Sequence, residues 1–136
     1  EKYSHRLYKK ESFLGICSRR HSFAGRTVSL EEVLQESLLV REKGSGTRML
    51  LEQAVAARGY SLDSFSRHSS ISNFSIICDL VAMDHLITFA YEPISHCRND
   101  LATFRVEDME ITGEFNLVYI NRSVAEPKAD LFLATC

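Results

Sequence analysis

The sequence predicts an α/β fold in which helices cover both faces of a mixed, mostly parallel sheet, giving three layers. Three observations predict it. Strand-like and helix-like segments alternate along the chain, the pattern that builds βαβ units. The 136 residues suffice for one ordinary core without disulfide or metal staples. Apolar residues make up 45% and charged residues 25%, the balance of a globular domain and not of a disordered, collagen-like or coiled-coil chain.

The elements follow in order. Ser12–Cys17 is a short apolar run that reads as a strand. Residues 19–26 form a polar loop. Ser29-Leu30-Glu31-Glu32 is a capping box, because the Ser29 hydroxyl and the Glu32 carboxylate can each satisfy the other's backbone N–H. A short helix to about Gln35 follows. Ser37–Arg41 is the second strand and Glu42–Gly46 a glycine-containing turn. Thr47–Arg58 is a helix, with Leu50, Leu51, Ala54, Val55 and Ala57 making its apolar side. Gly59 supplies the left-handed residue that ends it. Ser64–His68 reads as a strand. Ser70 or Ser72 caps a helix reaching Met83, with Phe74, Ile77, Leu80 and Val81 at helical spacing. Leu86–Ala90 is a strand, Pro93 opens a helix to about Arg98, and Leu101–Val106 is extended. Glu114–Asn121 carries the longest strand signal, and Lys128–Ala134 starts a last helix.

Charge and cysteines narrow the function. Residues 1–26 carry seven Lys/Arg against two Glu, a net of +5, and the remainder nets −7. The acidic bulk would repel a phosphate backbone, so the chain is a poor reader of DNA by itself. The basic segment reads as a solvated face, or as an arm for nucleic acid or an acidic partner. No uncharged apolar run approaches the ~18 residues of a membrane span, and the first residues have no apolar segment of a signal peptide. Cys17, Cys78, Cys97 and Cys136 form no CxxC pair, so a metal site is not expected. Reduced thiols in a cytoplasmic protein fit this pattern.

The strongest chemical signal is Arg41-Glu42-Lys43-Gly44-Ser45-Gly46-Thr47-Arg48, between a strand and a helix. Gly44 and Gly46 permit tight backbone, and a helix N-terminus offers free N–H groups at its positive end. Ser45 and Thr47 add hydroxyls, and Arg48 adds a planar fork. The segment reads as an anion cradle, or as a turn with a good N-cap and no ligand; its spacing is not that of a Walker A loop. Ser69-Ser70-Ile71-Ser72-Asn73 repeats the setting: Ser70, Ser72 and Asn73 bind a carboxylate or merely cap the helix. Thr88 at the end of Leu86–Ala90 is a third candidate. Enzyme chemistry finds no support. Ser45 is in no GxSxG elbow, Asp79, Asp84 and Glu92 have no partner geometry, and His68 and His85 lack a nearby nucleophile.

The segment HSFAGRTVSLEEVLQESLLVREKGSGTR resembles the stretch of LysR-type transcriptional regulators that leads into the second regulatory subdomain, through His21, Ser29–Glu32 and the RE-x-GSGTR element at 41–48. SSISNFSIICDLVAMDHLITFAYEPI and FNLVYINRSVAEPKADLFL are similar to two later stretches of that family. One departure is Met83-Asp84-His85-Leu86, where the family usually has Gly-Leu-Gly. Asp tolerates a left-handed turn better than most residues.

The resemblance implies a type 2 periplasmic-binding-protein-like fold, two α/β subdomains joined by two crossing strands. Ser12–Cys17 and Phe115–Asn121 then correspond to the crossovers. Residues 18–113 correspond to the second subdomain, and 1–17 and 114–136 to ends of the first. It further implies an effector-sensing domain, without cofactor, that binds a small anion between subdomains. Gly44, Ser45, Gly46, Thr47, Arg48, Ser70, Ser72, Asn73 and Thr88 would form one wall. Such regulators form homodimers or tetramers and meet DNA through an N-terminal winged helix-turn-helix outside this chain. A periplasmic-type solute-binding protein is the alternative, and a ligand-free interaction module a third reading.

Overall fold

The computed structural model describes residues 7–83 and 85–117. The strands are β1 (Leu7–Ser18), β2 (Thr27–Val28), β3 (Ser37–Val40), β4 (Arg67–Ser70), β5 (Leu86–Tyr91), β6 (Leu101–Val106) and β7 (Ile111–Leu117). The helices are α1 (Leu30–Leu34), α2 (Gly46–Ala56), α3 (Phe74–Met83) and α4 (Glu92–Ser95). The sheet runs β2-β6-β1-β5-β3-β4, and β7 pairs with β1 off that path. β3 is parallel to β4 and β5, and β2 is parallel to β6. β1 is antiparallel to β5, β6 and β7. The sheet is therefore mixed: the parallel pairs are those the alternation predicted, and the antiparallel ones all involve the twelve-residue β1 at its centre.

Two apolar clusters occupy the two faces. One joins Phe13, Phe89 and Phe104 to Leu30 and Val33 of α1 and Leu51 and Val55 of α2. The other joins Ile16, Leu39 and Ala90 to Ile77, Cys78 and Val81 of α3 and Ile94 of α4. Burying each such Leu, Ile or Phe contributes about 1.5–3 kcal/mol.

Local rules explain several elements. The α1 capping box is present as predicted: Glu32 N–H donates to Ser29 Oγ at 3.1 Å and Ser29 N–H donates to Glu32 Oε1 at 3.0 Å. Ser29→Ala is expected to cost about 1 kcal/mol, read as a lower urea midpoint at unchanged slope. Gly59 has φ +89°, the predicted left-handed end of the α2 segment. The 19–26 loop is pinned by His21, whose Nε2 lies 2.8 Å from Glu36 Oε1 while its Nδ1 accepts from Phe23 N–H.

Other expectations are corrected. The predicted strand at Ser64–His68 lies at Arg67–Ser70, because Ser61 and Ser64 cap each other around a single 3-10 turn at Leu62–Ser64. Asn73, not Ser70 or Ser72, caps α3: its Oδ1 accepts from Ser75 N–H and Ile76 N–H. The helix opened by Pro93 stops at Ser95, short of Arg98. Gly46 is the first residue of α2 instead of part of the turn. The early strand extends to Leu7–Ser18 because β7 continues its ladder from Phe13 opposite Ile111 to Leu7 opposite Leu117. The expected segments beyond 117, the helix at Lys128–Ala134 included, and Asp84 in the Met83–Leu86 turn lie outside the described residues.

Cys17 and Cys78 are free thiols, as expected. Cys136 lies outside the described residues. Burial pushes the Cys17 thiol up to about 12, with Glu36 adding to it, and burial pushes Cys78 up to about 11. Both values exceed the ordinary 9.0. The folded state therefore holds these protons more tightly than the unfolded chain. The stabilisation is full below pH 9 and is lost as pH rises from there through the folded values. Neither thiol is expected to react with iodoacetamide at pH 8 in the native protein. Both should react once urea unfolds it, as counted by mass spectrometry.

Candidate anion-binding site

The site grows from the end of β3. After Val40 the chain turns, Ser45 N–H donating to Glu42 O at 3.1 Å, and Gly44 takes φ +93°, which an L side chain rarely adopts. Ser45 then stands at the N-cap of α2, but its hydroxyl caps nothing. It lies 3.0 Å from Thr47 Oγ1 instead. Among the described residues, the N–H groups of Gly46, Thr47 and Arg48 have no acceptor. α1 and α3, by contrast, are capped by Ser29 and Asn73. An eleven-residue helix thus presents an open positive end.

Arg48 is the organising side chain. Only 9% of it is exposed. Its Nη1 donates to Arg41 O at 3.1 Å and to Ser70 Oγ at 2.9 Å, and its Nε donates to Glu52 Oε2 at 3.1 Å. Nη2 has no partner among the described residues. Ser70 reaches Arg48 across 22 residues because β4 runs parallel beside β3, placing Ser70 opposite Val40. A backbone hydrogen bond and then the Arg41 side chain hold the Glu42 carboxyl below its ordinary range, so the lip of the site carries a settled negative charge beside Arg41.

Thr88 is brought in from β5. The β3–β5 ladder pairs only Ser37 with Leu86 and Leu38 with Ile87. Beyond it, Thr88 Oγ1 donates to the Leu39 carbonyl at 2.7 Å. Its proton is therefore committed, and only its lone pairs remain to accept a hydrogen bond. Thr47, Arg48 and Thr88 line one crevice with Phe13, Val40, Arg41, Leu51 and Phe89. That crevice holds about 10 Å³, at the limit for a single water, so it is too small to enclose an organic ligand. Ser72 is exposed and, like Asn73, makes no hydrogen bond to the 44–48 segment. The structure thus joins Gly44–Arg48, Ser70 and Thr88, and leaves Ser72 and Asn73 at the edge.

Sequence reading missed the Arg41 carbonyl and Phe13. A carbonyl has no sequence signature, and Phe13 arrives from a strand remote in the chain. A wide surface depression of about 690 Å³ lies elsewhere, around Arg19, His96, Arg98 and Asn99. None of the predicted residues lines it. Arg98 there is bound by Asp79 at 2.7 Å and by Asp100 at 3.0 Å, so its charge is already compensated.

The LysR substrate-binding-domain family matches residues 2–136, nearly the whole chain. The chain belongs to that family. No curated protein matches it in sequence. Among solved structures, this LysR substrate-binding domain is similar to the CcmR regulatory domain of Synechocystis PCC6803 in complex with 2-PG, with TM-score 0.61 and 19% identity over 95% of this chain and 66% of that one. It is also similar to the QuiR effector-binding domain in complex with shikimate, with TM-score 0.61 and 12% identity over 99% and 65%. A third is HinK, a LysR-family regulator of Pseudomonas aeruginosa, with TM-score 0.61 and 15% identity over 98% and 48%. The chain therefore spans about half to two-thirds of these proteins. The likeness shows the expected type 2 periplasmic-binding-protein-like fold. The family is a regulatory one and not an enzyme family. Among the described residues no helix is long and apolar enough to cross a membrane, and no group of three or more His, Cys, Asp or Glu is placed to hold a metal.

Proposed function

We propose that the chain is the effector-sensing part of a LysR-type transcriptional regulator and that its ligand is a small organic or inorganic anion. The observation that carries the reading is the uncapped start of α2 beside the largely covered Arg48, whose Nη2 is unpaired among the described residues. N–H groups without acceptors and a held guanidinium both favour negative charge. Gly44, Ser45, Gly46, Thr47, Arg48 and Ser70 donate; Thr88 shapes the floor; Ser72 and Asn73 flank it.

Residues 18–113 form the second regulatory subdomain in this reading, and 1–17 and 114–136 belong to the first. The antiparallel β1–β7 ladder supports that division, because two long paired strands suit a crossover between subdomains. The ligand is then clasped between this wall and the other subdomain, which agrees with a crevice too small to enclose it. Closure on the ligand shifts the arrangement of a homodimer or tetramer on DNA. DNA contact belongs to a winged helix-turn-helix outside this chain, the setting is cytoplasmic, and the domain is neither an enzyme nor dependent on a cofactor. The family match favours this over a periplasmic-type solute-binding protein.

Thermal-shift screening of an anion panel that includes 2-PG, benzoate and shikimate tests the reading. At least one anion is expected to raise the midpoint in a concentration-dependent way. No stabilisation by any member at millimolar concentration overturns it.

A further inference from the structure

A second cavity lies behind the site. It measures about 170 Å³ and is lined by Phe13, Phe89, Phe104, Val106, Met109 and Ile111. Phe13 and Phe89 are ring-stacked at 6.2 Å, and Phe89 meets Phe104 edge-on at 5.7 Å. All three are buried. The charged residues on its lining, Arg105, Glu107 and Asp108, are exposed, so their charges stay in water at the edge.

Apolar cavities of about 150 Å³ lined by Leu, Ile and Phe in another protein stay dry and accept benzene. This one has similar volume and a more aromatic wall, offering ring faces and edges to a further ring. A charged ligand would lose its hydration there without a buried partner. We infer that the cavity is a ligand site of its own, for an uncharged aromatic ring of about benzene's size. The inference stands apart from the anion reading, since it uses neither Arg48 nor the α2 N-terminus.

The three methionines make the test internal. Met109 lines the cavity, whereas Met49 and Met83 are exposed on α2 and α3. Benzene is titrated into protein carrying methyl-13C methionine. The expected result is a saturable ring-current shift of the Met109 methyl, with Met49 and Met83 unmoved. Benzoate, the same ring with a charge, is expected to leave Met109 in place. Ile111→Phe, which fills the cavity from its rim, is expected to abolish the saturation. If that variant fails to fold, the titration of the unaltered protein decides. Absence of a Met109 shift up to benzene's solubility, non-saturable shifts of all three methyls, or an equal response to benzoate would overturn the inference.

Discussion

Gly15→Ala is expected to be the most damaging single-methyl change in the domain, costing roughly 3 kcal/mol, the upper end of overpacking penalties. Gly15 sits in β1 opposite both Phe89 and Phe104, and the far end of the Phe104 ring reaches over it. A Cβ added there would overlap Phe104 Cζ and both Cε atoms. The ring must tilt to make room, and in tilting it gives up its packing: Phe104 is 1% exposed and sits against Phe23 at 5.1 Å and Phe89 at 5.7 Å. Any further relief comes from the central strand, which pairs with β5, β6 and β7. Thermal unfolding should show a fall of roughly 10 °C for a chain of this length. The double change Gly15→Ala with Phe104→Leu should recover part of the loss, since the pair is in contact and its effects do not add. A fall below about 2 °C for the single variant would sink this account.

Arg48→Ala carries the second large effect, and it acts on stability and binding together. Removing the guanidinium strips a hydrogen-bond donor from the Arg41 carbonyl and from Ser70 Oγ, and leaves Glu52 without its ion pair. Glu52 is 42% exposed and is rehydrated, so the cost sits mainly on the part-buried Arg41 carbonyl, about 1 kcal/mol. An anion that stabilises the native protein should bind on the order of 10- to 100-fold more weakly, the loss of one charged hydrogen-bonding group. Arg48→Lys should not restore it, because an ammonium cannot hold Arg41 O and Ser70 while facing a ligand. Arg67→Ala, an exposed arginine on the neighbouring β4, serves as the control and should change neither quantity. Isothermal titration with the best anion of the panel measures this; unchanged affinity in Arg48→Ala would remove the guanidinium from the site.

The candidate site was half legible in the sequence. The turn and helix start at 41–48 could be read because two glycines and a run of hydroxyls act within a few residues. The Arg48–Ser70 contact could not, because it depends on β4 choosing β3 as its parallel neighbour. The role of Asn73 was misassigned among several serines, since Ser and Asn cap about equally well and only the place where α3 starts decides which one does. Thr88 stands out only by its place at the end of the Leu86–Ala90 strand, and its hydrogen bond to Leu39 arises only where β3 and β5 part.

By itself the sequence determined the features set by neighbours along the chain: the Ser29–Glu32 box, the left-handed Gly59, the apolar sides of α2 and α3, and the alternation that makes an α/β sheet. These depend on backbone sterics and hydrogen bonds spanning a turn or two. The tertiary structure alone decided which strand lies at the centre, which glycine must lack a side chain, and which serine meets Arg48. Those outcomes follow from packing between segments far apart in sequence, where one ring over one Cα excludes a methyl group and one strand pairing brings a hydroxyl within 2.9 Å of a guanidinium.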